Sequence, residues 1–361
     1  MKVDVNKDRD AIAILGVSSP KGGMFEYAKC WKAKLVDQGK DPVIVSNSNI
    51  LSQFFDVDKI IYDSKISDFG YRKYFLKFLF SLFYFLRQGL DLRRDLLAMN
   101  VKRIRVVDDF SYSSLHLLLF LCLFRGGFQI VATIHDPISH EGHFKNFFAW
   151  CVSKTNRFVM RQLNNVGLCL HFHGEKLINN TPWATCKNVL FDPHPLPEKT
   201  VVGKRSPDRI KIIFAGRIEV YKGLDDLLEA YSCLNDNRPN LLDTVDLFIV
   251  GKGTISSRAK SIIDSVGQVF LVNEFVSDEQ LHQHIADSDI LLLPYRSATA
   301  SGVGALGVIY DVRILATDVG ELSYLTTYNK HSKLISPNNV QAIVETLAMM
   351  LEDLIGEKKY G

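Results

Sequence analysis

The sequence predicts an α/β fold made of two Rossmann-like, doubly wound domains that face a central cleft. Short apolar runs alternate with longer helical patterns along nearly all of the 361 residues, and such alternation is typical of βαβ units. Several of the runs are apolar on both faces, as buried parallel strands are. At roughly 150 residues per domain, the length suggests two domains, each with its own core.

The apolar runs fall into two sets separated by a proline-rich loop. The first set predicts strands at AIAILGV, PVIVS, KIIY, RIRVV, QIVATIH and VGLCLHF. The second set predicts strands at RIKIIFAG, VDLFIVG, QVFLVN, DILLLP and RILAT. Between them lies FDPHPLPEKTVVGKRSPDR, residues 191–209, which contains four prolines and a basic, polar end. We therefore predict a first domain over residues 1–195 and a second over residues 196–361.

The bulk composition excludes several classes of protein. Apolar residues make up 47% and charged residues 23% of the chain, a balance typical of globular proteins. The net charge of +3 is too small to indicate a nucleic-acid binder. The six cysteines include no CxxC pair, which favours reduced thiols in a cytoplasmic protein. The first apolar run is too short for a signal peptide, and no run reaches the roughly 18 residues of a membrane span.

The stretch AGRIEVYKG, residues 215–223, places two cations between a predicted strand and a predicted helix. Arg217 and Lys222 follow the strand RIKIIF, and Gly223 lies near the start of a helix predicted over 224–234. The amides and the dipole of a helix start attract anions. A forked guanidinium and an ammonium aimed at the same place can hold a diphosphate. A solvated pair of loop charges is the plain alternative.

The segment DILLLPYRSATASGVGALGVIY repeats this theme in the second domain. It predicts a buried strand, a loop of small residues and a helix that begins near Ser301. The backbone amides of Ser301, Gly302 and Val303 would then point into the cleft. Gly302 would let the chain approach a phosphate closely.

Taken together, these segments resemble the retaining nucleotide-sugar glycosyltransferases of family 4, which have the GT-B fold. FAGRIEVYKGLDDLLEAYSCL resembles their diphosphate-binding signature, and VDLFIVGKG, VNEFVSDEQLHQHIADSDILLLPY and ILATDVGEL follow in the family's order. SSPKGGMFEYAKCWKAKLVDQGKDPVIVS resembles their N-terminal glycine loop and first helix. The resemblance implies a first domain that binds the acceptor and a second that binds the nucleotide-sugar donor. The donor diphosphate is assigned to Gly22, Gly23, Arg217, Lys222, Ser301, Gly302 and Val303, and the nucleoside to Gly251, Glu274, Phe275 and Val276.

The sequence departs from the family pattern at one pair of positions. The family usually carries two glutamates eight positions apart around the helix that begins near Ser301, and here Ala298 and Leu306 occupy those positions. A subgroup with SGV in this loop also lacks the pair, so the departure does not by itself mean inactivity. It leaves the ribose contact unassigned. It also keeps open the alternative of a non-catalytic partner subunit that binds a nucleotide sugar without turnover.

The segment TIHDPISHEGH places His135 and Asp136 at the carboxyl end of a buried strand, where ligands of such folds bind. A histidine satisfied by neighbouring backbone is the alternative. The resemblance implies a histidine beside the donor sugar, so we assign His135 a hydrogen bond to a sugar hydroxyl or to the departing phosphate. We assign Asp136 to the catalytic group as well. His140 and His173 are assigned to the acceptor or sugar side.

The expected chemistry follows from the charges that develop during transfer. Breaking the bond between the sugar and the phosphate builds negative charge on a nucleoside diphosphate, which Arg217 and Lys222 would stabilise as catalytic groups. No ligand cluster for a metal is visible, so we expect neither a metal nor another cofactor. The resemblance implies transfer of a hexose-type sugar with retention, to a glycan or lipid-linked acceptor. The expected setting is bacterial surface polysaccharide synthesis: lipopolysaccharide, capsule or exopolysaccharide.

A dinucleotide-dependent oxidoreductase would also contain Rossmann-like domains. The first predicted strand is not followed by GxGxxG, and VIVSNSN offers Ser46 and Asn47 where an acidic ribose ligand would stand. The sequence therefore argues against that class.

Residues 71–105 combine aromatic and basic side chains. YFLKFLFSLFYFL, residues 74–86, is apolar at all positions except Lys77 and Ser81. As a helix it would be about 20 Å long, too short to cross a bilayer core of about 30 Å. Such a segment suits peripheral contact with an anionic membrane at its inner face. A helix buried in the first domain explains the pattern equally well, and both interpretations stay open.

Overall fold

The computed structural model describes residues 9–13, 23–46, 59–60, 75–107, 121, 123–124, 127–137, 147–179 and 181–360. The chain divides into two compact units, Met1–Pro195 and Leu196–Gly361. Each unit contains one sheet in which all described strand pairs run parallel. The α/β class with parallel sheets is confirmed.

The first unit is built on a seven-stranded sheet. Its strands are β1 (Arg9–Ala13), β2 (Val43–Ser46), β3 (Lys59–Ile60), β4 (Val101–Val106), β5 (Gln129–Thr133), β6 (Cys169–Phe172) and β7 (Val189–Phe191). Their order across the sheet is β3-β2-β1-β4-β5-β6-β7. Its described helices are α1 (Gly23–Asp37), α2 (Phe75–Ala98) and α3 (Phe147–Asn164). Since the chain builds outward in both directions from β1 and β4, the sheet is doubly wound.

The core of the first unit lies in the middle of this sheet. Ile104 of β4, Ala132 of β5 and Leu170 of β6 are buried. Leu92 and Leu96, one helical turn apart on α2, are buried in the same cluster. Of the apolar strands recognised in the sequence of this unit, all but β3 lie inside the sheet, and the carboxyl ends of these parallel strands share one edge.

The second unit is built on a six-stranded sheet. Its strands are β8 (Ile210–Ala215), β9 (Val245–Val250), β10 (Val269–Val272), β11 (Ile290–Leu293), β12 (Arg313–Thr317) and β13 (Lys333–Ile335). Their order is β10-β9-β8-β11-β12-β13. The helices are α4 (Leu224–Asn237), α5 (Pro239–Leu242), α6 (Ser257–Ser265), α7 (Asp278–Ala286), α8 (Gly302–Ile309), α9 (Leu322–Thr326) and α10 (Val340–Tyr360). The order reverses between β8 and β11, which is where open α/β sheets bind ligands.

Helices cover both faces of the second sheet. Leu228 of α4 and Leu351 of α10 are buried in one cluster with Phe214 of β8. Leu306 of α8 and Ile285 of α7 are buried in a second cluster with other residues of the same strands. Strands covered on both faces must be apolar on both faces, which is the pattern that predicted them.

The structure adds two short strands and shows where the helices of residues 75–98 and 340–360 begin and end. The edge strands β7 and β13 were not predicted, because each has only three residues and little apolar periodicity. The helix predicted over 74–86 extends over Phe75–Ala98. The last helix, α10, runs over Val340–Tyr360. Among the described residues, no helix combines the length and the apolarity that a membrane span requires.

Candidate functional site

In the second unit, the loop after β8 is shaped by two glycines in the left-handed region. Gly216 has φ +102° and Gly223 has φ +69°. A Cβ on Gly223 would lie 2.0 Å from the carbonyl oxygen of Pro294, so only glycine fits where this loop meets the loop after β11. The two loops are joined as well by the Arg296 amide, which donates to the Tyr221 carbonyl at 2.7 Å.

Lys222 is held on this loop with its side chain buried. Only 9% of the residue is exposed, and its ammonium lies 5.2 Å from the centroid of the Tyr295 ring. Within the described part of the chain, no carboxylate lies at ion-pair distance from this ammonium. A buried cation without a carboxylate is costly, and the π face of Tyr295 compensates only part of that cost. The position suits an anion brought by a ligand.

Arg217 lies on the same loop and is exposed. Its guanidinium forms an ion pair with Glu219 at 3.0 Å, and 77% of its side chain is accessible. The predicted pair of cations is thus divided into a buried ammonium and an exposed guanidinium. The surface ion pair contributes little stability, so Arg217 is able to exchange Glu219 for a phosphate.

The start of α8 lies on the loop after β11. Ser301 is the N-cap residue, and its Oγ accepts a hydrogen bond from the Gly304 amide at 3.0 Å. The amides of Gly302 and Val303 belong to the first turn and have no acceptor within the helix. Among the described residues, no heavy atom lies within 4 Å of a Cβ built on Gly302, and this first residue of the helix is exposed. Val303 lies against the loop after β8, since its Cγ2 lies 3.2 Å from a Cβ built on Gly216.

Arg296 and Asp226 join the two loops, and neither was predicted as part of the site. The Arg296 Nε and Nη2 atoms donate to the two Asp226 carboxylate oxygens at 2.8 and 2.6 Å. The interaction with the Asp226 carboxylate raises the pKa of Arg296. Asp226 lies in the first turn of α4, four residues after Lys222 in the sequence. This pair therefore fixes the loop that carries Lys222 against the loop that begins α8.

The residues assigned to the nucleoside follow β9 and β10. Gly251 has φ +138°, and a Cβ there would lie 2.0 Å from the Gly216 carbonyl oxygen. This glycine therefore keeps the loop after β9 against the loop after β8. Glu274 and Phe275 are exposed and Val276 is half-buried. Ala298 is half-buried and Leu306 is buried in the core, so Leu306 is a packing residue.

In the first unit, four histidines surround Tyr27 of α1. His135 follows β5, His171 and His173 lie at the end of β6, and His194 follows β7. The Tyr27 ring centroid is 4.7 Å from that of His135, 5.5 Å from that of His173 and 4.9 Å from that of His194. The Tyr27 hydroxyl lies 3.5 Å from His171 Nδ1. Because the carboxyl ends of neighbouring parallel strands share an edge, residues far apart in the sequence meet here.

Hydrogen bonds connect these histidines to one another and to the backbone. His135 Nδ1 lies 3.1 Å from His173 Nε2, and His135 Nε2 lies 2.7 Å from the Val107 carbonyl oxygen. His171 Nε2 lies 3.1 Å from the Asp192 carbonyl oxygen, and His171 Nδ1 lies 3.3 Å from the Thr133 hydroxyl. Both ring nitrogens of His135 are therefore engaged with the protein.

Burial favours the uncharged forms of Tyr27, His171, His173 and His194. Burial lowers the pKa of His171 to about 4, and the nearby Arg105 guanidinium acts in the same direction. Burial and the neighbouring His135 hold the pKa of His173 well below its ordinary value. Burial also lowers the pKa of His194 to about 4 and raises that of Tyr27 to about 12. The rings of His171, His173 and His194 and the phenol of Tyr27 are therefore neutral at pH 7.

The remaining predicted site residues have different outcomes. The backbone carbonyl of Asp136 accepts a hydrogen bond from Arg157 Nη2 at 2.9 Å, and the residue is half-buried. Gly23 begins α1. Gly22 and His140 lie outside the described residues.

Sequence reasoning missed Tyr27, His171 and Tyr295. A signal existed for His171, because it stands two positions before His173 in LHFH and so lies on the same face of the strand. Tyr27 and Tyr295 read as core aromatics, and nothing in their local sequence indicated contact with the histidines or with Lys222.

No group of three or more histidine, cysteine, aspartate or glutamate side chains with ligand geometry occurs within the described ranges.

Comparison with protein families finds a match within the second unit. Residues 209–353 match the family described as glycosyl transferases group 1. This range contains Arg217, Lys222 and the start of α8. No curated protein sequence matches the chain significantly.

Solved structures with the same fold extend over the whole chain. A glycosyltransferase from Rickettsia africae superposes with a TM-score of 0.63 at 14% identity, covering 96% of this chain and 89% of the other. HepE from Anabaena, in complex with UDP and glucose, gives 0.63 at 12% identity, with 97% and 92% covered. A solved structure described as trehalose-6-phosphate from E. coli bound with UDP-2-fluoro glucose gives a TM-score of 0.62 at 13% identity, with 97% of this chain and 96% of the other covered. Residues 209–353 therefore match a glycosyltransferase family, and the solved structures share the GT-B fold of the whole chain.

Proposed function

We propose that the protein is a retaining, metal-independent glycosyltransferase. It transfers a hexose-type sugar from a nucleoside-diphosphate sugar to a glycan or lipid-linked acceptor, in the synthesis of a bacterial surface polysaccharide. The second unit binds the donor and the first unit binds the acceptor. The reaction proceeds in the cytoplasm.

The observation that carries this proposal is the buried Lys222 ammonium. It has no carboxylate within ion-pair distance in the described structure, and it shares its pair of loops with the open start of α8. A diphosphate supplies the missing negative charge and accepts hydrogen bonds from the amides of Gly302 and Val303. Arg217 joins from the surface once it leaves Glu219. These donors gain most when the leaving diphosphate develops charge, which is the condition for catalysis rather than binding alone.

The first experiment measures nucleoside-diphosphate binding by calorimetry. UDP is the first ligand, because HepE is described in complex with UDP and glucose, and GDP and ADP follow. Lys222→Met should weaken binding by at least about tenfold, because a charge-assisted contact to phosphate is lost. Arg217→Ala should weaken binding less, because the exposed guanidinium is screened by solvent.

Lys211→Met is the matched control for Lys222→Met. Lys211 also lies over an aromatic ring, 4.6 Å from the Phe248 centroid, but it stands near the start of β8, away from the loops. Its loss should leave binding unchanged. Equal affinities for wild type and Lys222→Met would overturn the phosphate assignment.

Turnover distinguishes the enzyme from a non-catalytic partner subunit. The proposed enzyme hydrolyses or transfers the sugar of UDP-glucose or a related donor, and retention is read from the anomeric proton of the product. A partner subunit binds the same donor and never turns it over. Activity that survives EDTA supports metal independence, whereas activity restored only by a divalent cation contradicts it.

The membrane contact predicted for residues 71–105 stays a prediction. Arg87 and Arg94 are exposed on the part of α2 whose side chains are described. Cosedimentation with vesicles of anionic phospholipid, for wild type and an Arg87→Gln, Arg94→Gln double variant, tests it. Absence of wild-type binding to such vesicles would remove the membrane from the proposal.

A further inference from the structure

We infer that His173 is a positioning residue that, together with the Val107 carbonyl, holds the neutral His135 ring in the form protonated on Nε2. The inference rests on the function proposed above, in which His135 contacts the donor sugar or the leaving phosphate. It adds a residue whose role is to fix what His135 can offer: a hydrogen-bond donor at Nε2 rather than a base.

The first step is the contact between His135 and the backbone. His135 Nε2 lies 2.7 Å from the carbonyl oxygen of Val107. A carbonyl oxygen only accepts hydrogen bonds, so the proton of this contact is on Nε2. A neutral imidazole carries a single proton. Nδ1 of the neutral His135 ring is therefore an acceptor.

The second step identifies the donor to that acceptor. His135 Nδ1 lies 3.1 Å from His173 Nε2, and the neutral His173 ring must carry its proton there. His173 Nδ1 then carries no proton, and among the described residues this buried atom has no hydrogen-bond partner. The unsatisfied nitrogen is a cost of this arrangement. With the opposite tautomer of His173, two unprotonated nitrogens, His173 Nε2 and His135 Nδ1, would face each other at 3.1 Å.

Packing around the His173 ring fixes the direction in which its Nε2 points. The residue is 2% exposed. Its ring stands edge-on to Tyr27, with centroids 5.5 Å apart at 88°, and edge-on to His171, with centroids 5.5 Å apart at 85°. His194 lies on a further side at 5.4 Å. Packing on these sides prevents rotation of the ring, so the aim of Nε2 is set by the fold.

The consequence concerns the chemistry of His135. With Nδ1 occupied by His173, the proton that His135 can present to a ligand is the one on Nε2, which Val107 releases when a stronger acceptor arrives. A sugar hydroxyl oxygen or a phosphate oxygen is such an acceptor. His135 therefore stabilises negative charge by donating a hydrogen bond, because preorganised donors act where charge develops in the transition state.

The test compares two replacements of His173. His173→Phe keeps an aromatic ring against Tyr27 and removes the donor, whereas His173→Gln restores an N–H near the position of Nε2. His194→Phe is the control, because His194 also packs on Tyr27 and its Nδ1 contacts the Pro195 carbonyl rather than His135. Folding of each variant is checked from its circular dichroism and melting temperature.

The decisive measurement is the tautomer of His135, read from two-bond ¹⁵N–¹H couplings of the ¹⁵N-labelled protein at pH 7.5. Wild type, His173→Gln and His194→Phe should show the proton on Nε2. His173→Phe should show a mixture that includes the Nδ1-protonated form. In transfer assays His173→Phe should lower kcat about tenfold with little change in the donor KM, and His173→Gln should recover most of it.

An unchanged His135 signal in a folded His173→Phe variant would overturn the inference. If the tautomer responds as expected and no sugar donor is turned over by wild type, the proposed function fails while the role of His173 stands. If turnover is found and the tautomer does not respond, the function stands and the inference fails.

Discussion

Arg296 binds Asp226 through two parallel hydrogen bonds, at 2.8 Å from Nε and 2.6 Å from Nη2. The pair connects the segment after β11 to the first turn of α4. Lys222 and the start of α8, which the proposal assigns to the donor diphosphate, lie on the two loops that it joins. Its geometry therefore has consequences for both stability and binding.

Breaking this pair should weaken nucleoside-diphosphate binding as well as the fold. Asp226→Ala should lower the free energy of unfolding by about 1–3 kcal/mol, because a half-buried guanidinium loses its bidentate partner. It should also weaken UDP binding severalfold, because the loop that carries Lys222 is released. Calorimetric unfolding and UDP titration measure the two effects.

The pair Arg209–Asp246 provides the matched control. It is also bidentate, at 2.7 and 2.6 Å, and connects the starts of β8 and β9 at the other end of the strands. Asp246→Ala should destabilise by a similar amount and leave UDP affinity unchanged. A similar loss of affinity in both variants would show that the effect is general destabilisation and not positioning of Lys222.

A methyl group on Gly302 should separate binding from stability. No atom lies within 4 Å of a Cβ at this position, and alanine favours helices over glycine by up to about 1 kcal/mol. Gly302→Ala should therefore keep or slightly raise the melting temperature, yet weaken UDP binding because the methyl group occupies the space that the phosphate approaches. Thermal unfolding and titration are measured on the same preparation.

Gly356→Ala is the control for that variant. Gly356 lies in α10, and a Cβ there also meets nothing within 4 Å. This change should affect stability in the same direction and leave UDP affinity as it is. Unaltered affinity in Gly302→Ala would mean that the diphosphate does not bind at this helix start.

Gly251 should not tolerate alanine. Its φ of +138° is unfavourable for a side chain, and the Cβ would lie 2.0 Å from the Gly216 carbonyl oxygen. Gly251→Ala should lower the free energy of unfolding by about 2 kcal/mol or more. Gly267→Ala, at a position with no atom within 4 Å of the new Cβ, should be close to neutral. Comparable stabilities of the two variants would contradict the close approach of the loops after β8 and β9.

The first unit should lose stability as the pH falls below neutrality. His171 has a pKa of about 4 in the folded chain, chiefly because it is buried, against about 6.5 when unfolded. The unfolded chain binds more protons between these values, so the contribution is complete above pH 6.5 and is lost as the pH falls toward 4. At pH 5 the loss from His171 alone is about 2 kcal/mol, and His173 and His194 act in the same direction.

Urea unfolding at pH 7 and pH 5, followed by tryptophan fluorescence, measures this loss. The three tryptophans, Trp31, Trp150 and Trp183, all belong to the first unit, so the signal reports on that unit alone. His171→Asn should reduce the difference between the two pH values. Equal unfolding free energies of wild type at pH 5 and pH 7 would rule out a neutral, buried histidine cluster.

Much of this architecture could be predicted from local sequence. RIKIIF, VDLFIV and DILLL are apolar on both faces, and only a strand covered on both faces of a sheet accounts for that pattern. The glycine before Leu224 and the serine before Gly302 indicated where helices begin. The edge strands β7 and β13 escaped prediction because each has only three residues, whereas the edge strands β3 and β10 lie within longer apolar runs.

The sequence by itself determined most of the segments that become strands and the loops that carry cations after those strands. It also indicated His135, Arg217 and Lys222 as candidate site residues. Only the tertiary structure decided that Lys222 is buried over Tyr295 while Arg217 remains in solvent, and that Arg296 joins Asp226. It also brought His171 and His173 to His135 and Tyr27. The physical reason is that backbone preferences and apolar periodicity act over a few residues, whereas burial, charge pairing and tautomer depend on which strand ends become neighbours in the sheet.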